Sequence, residues 1–137
     1  MPRNTLAASL GVARDLTTGD TLDAAAVRGL VAMLGDDPEA LAELVDAFLD
    51  EAPQRLAELD QGAAAADADL LVRAAHTLKA NAAMFGAGRL EQLCRSLETA
   101  ARARDLNGAG QVIEGIGEEW FSVRPQLVVL RGSGVAP

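Results

Sequence analysis

Apolar residues recur along most of the chain at intervals of three and four positions, which is the spacing of one face of an α-helix. Such stripes predict long amphipathic helices over about 38–62, 67–85, 88–105 and 109–130. The first helix carries the most regular stripe, formed by Leu41, Leu44, Val45, Phe48, Leu49, Ala52, Leu56 and Leu59. No segment alternates apolar and polar residues as a half-buried strand does. The pattern therefore predicts an all-α protein.

Turn and capping residues separate the predicted helices. Gly35 suits the position after a helix end, Asp37 can cap the next helix, and Pro38 fits its first position. Pro53 lies inside that helix, where its missing backbone donor predicts a kink or a local break. Gly62 is expected to end the helix.

Short connections between four long amphipathic helices predict an antiparallel up-down-up-down four-helix bundle over residues 20–130. One or two short N-terminal helices are expected to cover it, one ending near Leu34 and one over Thr5–Ala13. Residues 1–19 are otherwise expected to form a flexible arm, and residues 131–137 a flexible tail.

Composition and charge exclude several classes of function. The formal net charge of −8 argues against nucleic acid, whose phosphates need basic patches. The chain has no run of about 18 apolar residues and no signal-peptide pattern, so we expect a cytoplasmic protein without a membrane span. Cys94 is the only cysteine, which rules out an intramolecular disulfide and a cysteine metal cluster.

His76 is the only histidine, and it lies on the polar side of the 67–85 helix. A helix turns about 100° per residue, which places six residues within about 60° of His76: Asp69, Val72, Arg73, Lys79, Ala80 and Ala83. Imidazole can act as a nucleophile, and the positive charge of Lys79 would stabilise an anion on the ring nitrogen. The residues alone leave two interpretations open, a solvated surface histidine and a carrier of a phosphoryl group.

The run His76-Thr-Leu-Lys-Ala-Asn-Ala-Ala-Met-Phe-Gly-Ala87 resembles the signature of histidine phosphotransfer (HPt) domains of multistep two-component phosphorelays. The segment 37–53 is similar to the helix that precedes this signature in the family, and 90–98 is similar to the helix that follows it. The resemblance covers roughly residues 20–125.

The resemblance implies that His76 is the phosphorylated residue and that Lys79 compensates the charge of the phosphoryl group. It implies that the partners are receiver domains, one of a hybrid histidine kinase and one of a response regulator. Mg²⁺ is expected on the partner receiver, and the chain is expected to have no cofactor or metal of its own. We therefore expect a phosphocarrier, and not an enzyme with its own nucleotide site. We also expect it to be a monomer.

Partner docking is expected to use the His76 face together with part of the preceding helix. The residues assigned to this surface by the helical wheel are Asp69, Val72, Arg73, Ala80 and Ala83. Ala80 departs from the glycine that is frequent in the family, which would slightly narrow the approach to His76. Asn81 and Gly86 are expected to have structural roles, at the helix-packing seam and at the helix end.

Other residues are assigned structural roles. We expect Cys94 to pack in the core, Trp120 and Phe121 to close the bundle, and Glu98 and Arg102 to form a weak i,i+4 surface pair. The arginines of the fourth helix are expected to lie on a solvated face.

Three other functions compete with that of a phosphocarrier. A di-iron bundle needs Glu-x-x-His motifs that this chain lacks. A dimerising adaptor with a kinase-like fold needs an additional nucleotide-domain-like segment. A binding module without phosphorylation, which sequesters a receiver or a kinase, remains the alternative, although it would need neither His76 nor Lys79.

Overall fold

Five helices make up residues 22–133, the part of the chain that this computed structural model describes. They are α1 (Ala24–Met33), α2 (Pro38–Ala65), α3 (Ala68–Met84), α4 (Gly88–Arg102) and α5 (Ala109–Ser133). Helices α2 to α5 form an antiparallel up-down-up-down bundle in which each helix packs against the next and α5 packs against α2. The predicted all-α bundle is confirmed. The predicted arm at 1–19 and the helix at 5–13 lie outside the described residues.

Aspartate caps begin the first three helices. The side chains of Asp23, Asp37 and Asp67 each accept a hydrogen bond from a backbone N–H in the first turn of α1, α2 and α3. Pro38 occupies the first turn of α2, where its missing N–H costs nothing. Each cap typically contributes about 1 kcal/mol, so these boundaries are set by local chemistry and could be predicted from the sequence.

Helix α2 is longer and less interrupted than predicted. It passes through Pro53 without a break and ends at Ala65, beyond Gly62. Pro53 is exposed, so water can serve the carbonyl that loses its helical partner. Gly62 is buried where α2 crosses α3, and a Cβ there would lie 2.9 Å from the side chain of Leu71. This glycine permits close helix packing and does not stop the helix.

The last two helices also differ from their predicted bounds. Helix α4 ends at Arg102 instead of Asp105. Helix α5 continues to Ser133, so the prediction of a loose tail from residue 131 is wrong for residues 131–133. Nη2 of Arg131 lies 3.0 Å from Oδ2 of Asp46 on α2, and this ion pair helps to hold the final turn of α5 against the bundle.

Three aromatic rings lie at the centre of the core. The ring of Phe48 stacks on Phe85 with centroids 5.6 Å apart and packs against Trp120 at 5.0 Å. Cys94 is fully buried among apolar side chains, as predicted. The prediction that Phe121 helps to close the bundle is wrong, because this side chain is 81% exposed. Adjacent helical residues point about 100° apart, so Trp120 and Phe121 cannot both face the same core.

Gly86 joins α1 to the end of α3. Its φ of +71° is a left-handed conformation, and its carbonyl accepts a hydrogen bond of 2.8 Å from the N–H of Asp23. A Cβ at this position would lie 2.8 Å from the Cβ of Ala26 and 2.9 Å from the Cβ of Asp23. Glycine is therefore required here both by the backbone angle and by the close approach of α1.

Candidate functional site

His76 lies in the middle of α3 on the outer face of the bundle. Its side chain is 59% exposed, whereas Ala75 and Leu78 beside it are buried in the core. The capped start of α3 and its stripe of buried residues fix the rotation of the helix, and this rotation presents the imidazole to solvent, as the helical wheel predicts. The ring is open to an approaching macromolecule.

A buried carboxylate from α4 lies directly beside the ring. Oε2 of Glu98 is 3.0 Å from Nδ1 of His76, and Oε1 is 2.7 Å from Nζ of Lys79. Arg102, one turn further along α4, donates from Nη2 to the same Oε2 at 2.7 Å and from Nε at 3.2 Å. The Glu98 side chain is only 7% exposed. One carboxylate between α3 and α4 therefore holds two cations and the imidazole together.

Glu98 is ionised at neutral pH. Burial alone would raise the pKa of this carboxyl group, but the contacts with Lys79, Arg102 and His76 outweigh burial and lower the pKa to about 2. An ionised carboxylate can only accept hydrogen bonds, so Nδ1 of His76 must be the donor. In the neutral imidazole the lone pair then belongs to Nε2, the other ring nitrogen. Glu98 thus selects which nitrogen of His76 can act as a nucleophile.

The other residues assigned to the His76 face lie around the ring. Ala80, Ala83, Asp69 and Arg73 are exposed and Val72 is half-buried. Nη2 of Arg104 lies 3.3 Å from Oδ1 of Asp69, a contact that adds a second link between α3 and the end of α4. The structure therefore brings the five predicted docking residues to one side of α3, and their role in docking stays a prediction.

Polar neighbours of His76 come from α4 and not from the preceding helix. Asn81, which lies about 140° from His76 around α3 and is half-buried, donates to Oε1 of Glu51 on α2 at 3.0 Å. Glu51 in turn pairs with Arg55 at 3.7 Å. Asn81 therefore links α3 to α2, which is the structural role that its position on the wheel predicts.

The position of Glu98 differs from the sequence-based expectation. Glu98 and Arg102 form the predicted i,i+4 pair, but Glu98 is buried and does not lie on the surface. A signal was present, because Glu98 falls within the buried stripe of α4 between Cys94 and Ala101. Charged residues at such positions are rarely buried without a partner from another element. The partners here are His76 and Lys79, which lie on α3.

The thiol of Cys94 is not activated as a nucleophile. Burial, and then the charge of Glu98, raises the pKa of the Cys94 thiol to about 12, so this thiol stays protonated at neutral pH.

Within residues 22–133, no group of three or more histidine, cysteine, aspartate or glutamate side chains could hold a metal ion. In the same range, no helix is long and apolar enough to cross a membrane.

Comparison with known proteins identifies the family. The family model described as the Hpt domain matches residues 43–127. The chain belongs to the Hpt domain family. It is also similar to the crystal structure of histidine-containing phosphotransfer protein B (HptB) from Pseudomonas aeruginosa PAO1, with 30% sequence identity and a TM-score of 0.73. This match covers 82% of the present chain and 95% of HptB. No match is found among the curated proteins.

The match to the Hpt family includes the whole charged cluster. His76, Lys79, Glu98 and Arg102 all lie within residues 43–127. Membership of the family supports a histidine phosphotransfer role, and Hpt proteins are phosphocarriers that exchange phosphoryl groups with receiver domains.

Proposed function

We propose that this Hpt domain relays a phosphoryl group between receiver-domain aspartates of a hybrid histidine kinase and a response regulator, through phospho-His76. The observation that carries the proposal is the exposed imidazole whose Nδ1 is bound to the ionised Glu98, since Nε2 is then left as an open nucleophile. His76 is the only histidine in the chain, so a histidine phosphotransfer role has one candidate acceptor.

The reaction follows from this geometry. The lone pair of Nε2 attacks the phosphorus of a receiver aspartyl phosphate, an N–P bond forms, and the P–O bond to the aspartate breaks. The electron pair of that bond leaves on the aspartate carboxylate. Nδ1 keeps its proton, so the phosphorylated ring carries a positive charge, which the Glu98 carboxylate stabilises at 3.0 Å. The same steps in reverse pass the group to the second receiver.

Lys79 is proposed to compensate the charge of the phosphoryl oxygens. Its side chain lies one turn from His76 and is only 23% exposed, so the ammonium group is held near the ring. The Hpt domain is proposed to use no cofactor or metal of its own. Mg²⁺, which would offset phosphoryl charge, is expected on the partner receiver.

The exposed face around His76 is proposed as the receiver-docking surface. Ala80 and Ala83 leave room for a partner on one side of the ring, and Arg73 and Asp69 add charged groups beside it. Small side chains permit close approach of a second backbone, and exposed charges steer and orient the partner. We propose that the chain acts in the cytoplasm with these partners, as a monomer.

Phosphoryl transfer from purified phosphorylated receivers tests the proposal. We expect an acid-labile adduct of one phosphoryl group by intact mass spectrometry on the unmodified chain, and none on His76→Gln. ATP alone should produce no adduct. A folded chain that accepts no phosphoryl group from a broad panel of receivers would refute the proposal and favour a module that only binds a receiver or a kinase.

A further inference from the structure

Arg102 and Lys79 hold Glu98 in different ways. Arg102 donates two aligned hydrogen bonds to Oε2, the oxygen that also accepts from Nδ1 of His76. Lys79 contacts the other oxygen, Oε1, through its ammonium group alone, at 2.7 Å. The lysine contact is a single-point ion pair on a flexible stem, whereas Arg102 binds through two donors of one rigid guanidinium, so the lysine contact is the easier of the two to exchange for another anion.

The net charge of the cluster before and after phosphorylation of His76 shows why two cations are needed beside Glu98. At rest the cluster holds one negative charge on Glu98 and two positive charges on Lys79 and Arg102. A phosphoryl group on His76 adds up to two negative charges to its oxygens and one positive charge to the ring. The cluster then becomes neutral. With either cation missing, the phosphorylated cluster would carry a net negative charge around a buried carboxylate, which is costly.

We propose that Arg102 is a positioning residue for phosphotransfer: it keeps Glu98 paired while Lys79 leaves Oε1 and turns to the phosphoryl oxygens. This inference rests on the proposed function. Arg102 acts through Glu98 and Lys79, and its guanidinium, which is 60% exposed, stays on Oε2 of Glu98 during the reaction. Without Arg102, Glu98 would retain Lys79 as its only cation and the lysine would be withheld from the reacting group.

The chain provides a matched control for Arg102. Arg95 is on the same helix, pairs with Glu91 at 2.7 Å in the same i,i+4 arrangement, and is 59% exposed. It differs in that its carboxylate partner does not contact His76 or Lys79. Arg95→Gln therefore removes an equivalent surface charge and an equivalent helical pair from α4 without touching the charged cluster.

The test measures the rate at which phosphoramidate, a small donor that releases ammonia and needs no docking, phosphorylates His76. We expect Arg102→Gln to be about tenfold slower than the unmodified chain and Arg95→Gln to stay within about twofold of it. Arg102→Lys should have an intermediate rate, because it keeps the charge but loses the two donors of the guanidinium. Circular dichroism and thermal melts confirm that each variant is folded.

A double variant separates this mechanism from a direct role. If Arg102 acts by keeping Glu98 paired, then neutralising Glu98 makes Arg102 unnecessary, and Glu98→Gln/Arg102→Gln should be phosphorylated within about twofold of the rate of Glu98→Gln alone. Equal rates for Arg102→Gln and Arg95→Gln would overturn the proposal. A double variant that is clearly slower than Glu98→Gln would also overturn it, and would assign Arg102 to the phosphoryl group itself. Failure of the unmodified chain to form phospho-His76 from any donor would instead refute the proposed function.

Discussion

Replacing Glu98 with glutamine should make the stability of the bundle less dependent on pH in the acid range. The pKa of Glu98 is lowered from 4.5 to about 2 in the folded chain. An acid with a lowered folded-state pKa adds stability at pH values above 4.5, and this stability is lost as the pH falls from 4.5 toward 2. Glutamine does not ionise, so the variant lacks this contribution at every pH.

The size of the effect follows from the pKa difference and from exposure. A lowering of this extent corresponds to about 3 kcal/mol in the absence of screening. The side chains of His76 and Arg102 are both more than half exposed, so solvent screens their interaction with the carboxylate. We therefore expect the unmodified chain to exceed Glu98→Gln by about 1–2 kcal/mol in free energy of unfolding at pH 7.

Urea unfolding followed by circular dichroism at a series of pH values from 7 to 3 measures this difference. It should stay constant down to about pH 5 and narrow as the pH falls further. Glu91→Gln is the control, because its partner Arg95 forms a surface pair of the same spacing. This control should lose less than about 1 kcal/mol at pH 7. A Glu98→Gln variant as stable as the unmodified chain at pH 7 would refute the reasoning, since the contacts would then only offset the cost of burial.

Three further predictions concern packing, strain and docking. Gly86→Ala should lower the free energy of urea unfolding by about 2–3 kcal/mol, because the new Cβ would meet close contacts and the backbone has a left-handed φ. Gly35→Ala, at φ +72° but in open space, should cost only about 1 kcal/mol, and equal losses would contradict the packing argument. Phe121→Ser should change the free energy of unfolding by less than about 0.5 kcal/mol, because this side chain is exposed, whereas replacing the buried Phe48 with alanine should cost about 3–5 kcal/mol. A large loss of stability for Phe121→Ser would show that this side chain is buried against another group. Ala83→Arg should slow phosphoryl transfer from a phosphorylated receiver by about tenfold or more and leave phosphorylation by phosphoramidate unchanged. An unchanged rate of transfer from the receiver would show that the receiver docks on another surface.

The fold could be predicted from the sequence because its determinants are local. Capping aspartates such as Asp37 and Asp67 begin helices through bonds within one turn, and apolar stripes at helical spacing define which faces pack. The same logic failed at Gly62, which looks like a helix stop in sequence but is a contact point between α2 and α3. Its role depends on Leu71, and no local pattern reveals that proximity.

The exposed position of His76 could be predicted from the sequence, but its electrostatic surroundings could be predicted only in part. The positions of His76 and Lys79 relative to each other follow from helix geometry, because they lie one turn apart on α3. Glu98 is 22 positions away from His76 along the chain, and the two meet only because α3 and α4 pack antiparallel in one register. The wheel of a single helix contains no information about that register, so the buried carboxylate and its effect on the imidazole emerged only from the structure.

The position of the phosphoryl group on the histidine ring tests the account most directly. The chain would be phosphorylated by a receiver or by phosphoramidate, and ¹⁵N and ³¹P NMR of the imidazole would identify the nitrogen bonded to phosphorus. The account predicts a single phosphoryl group on Nε2 of His76, with the proton retained on Nδ1 beside Glu98. A phosphoryl group on Nδ1, or on any residue other than His76, would contradict it.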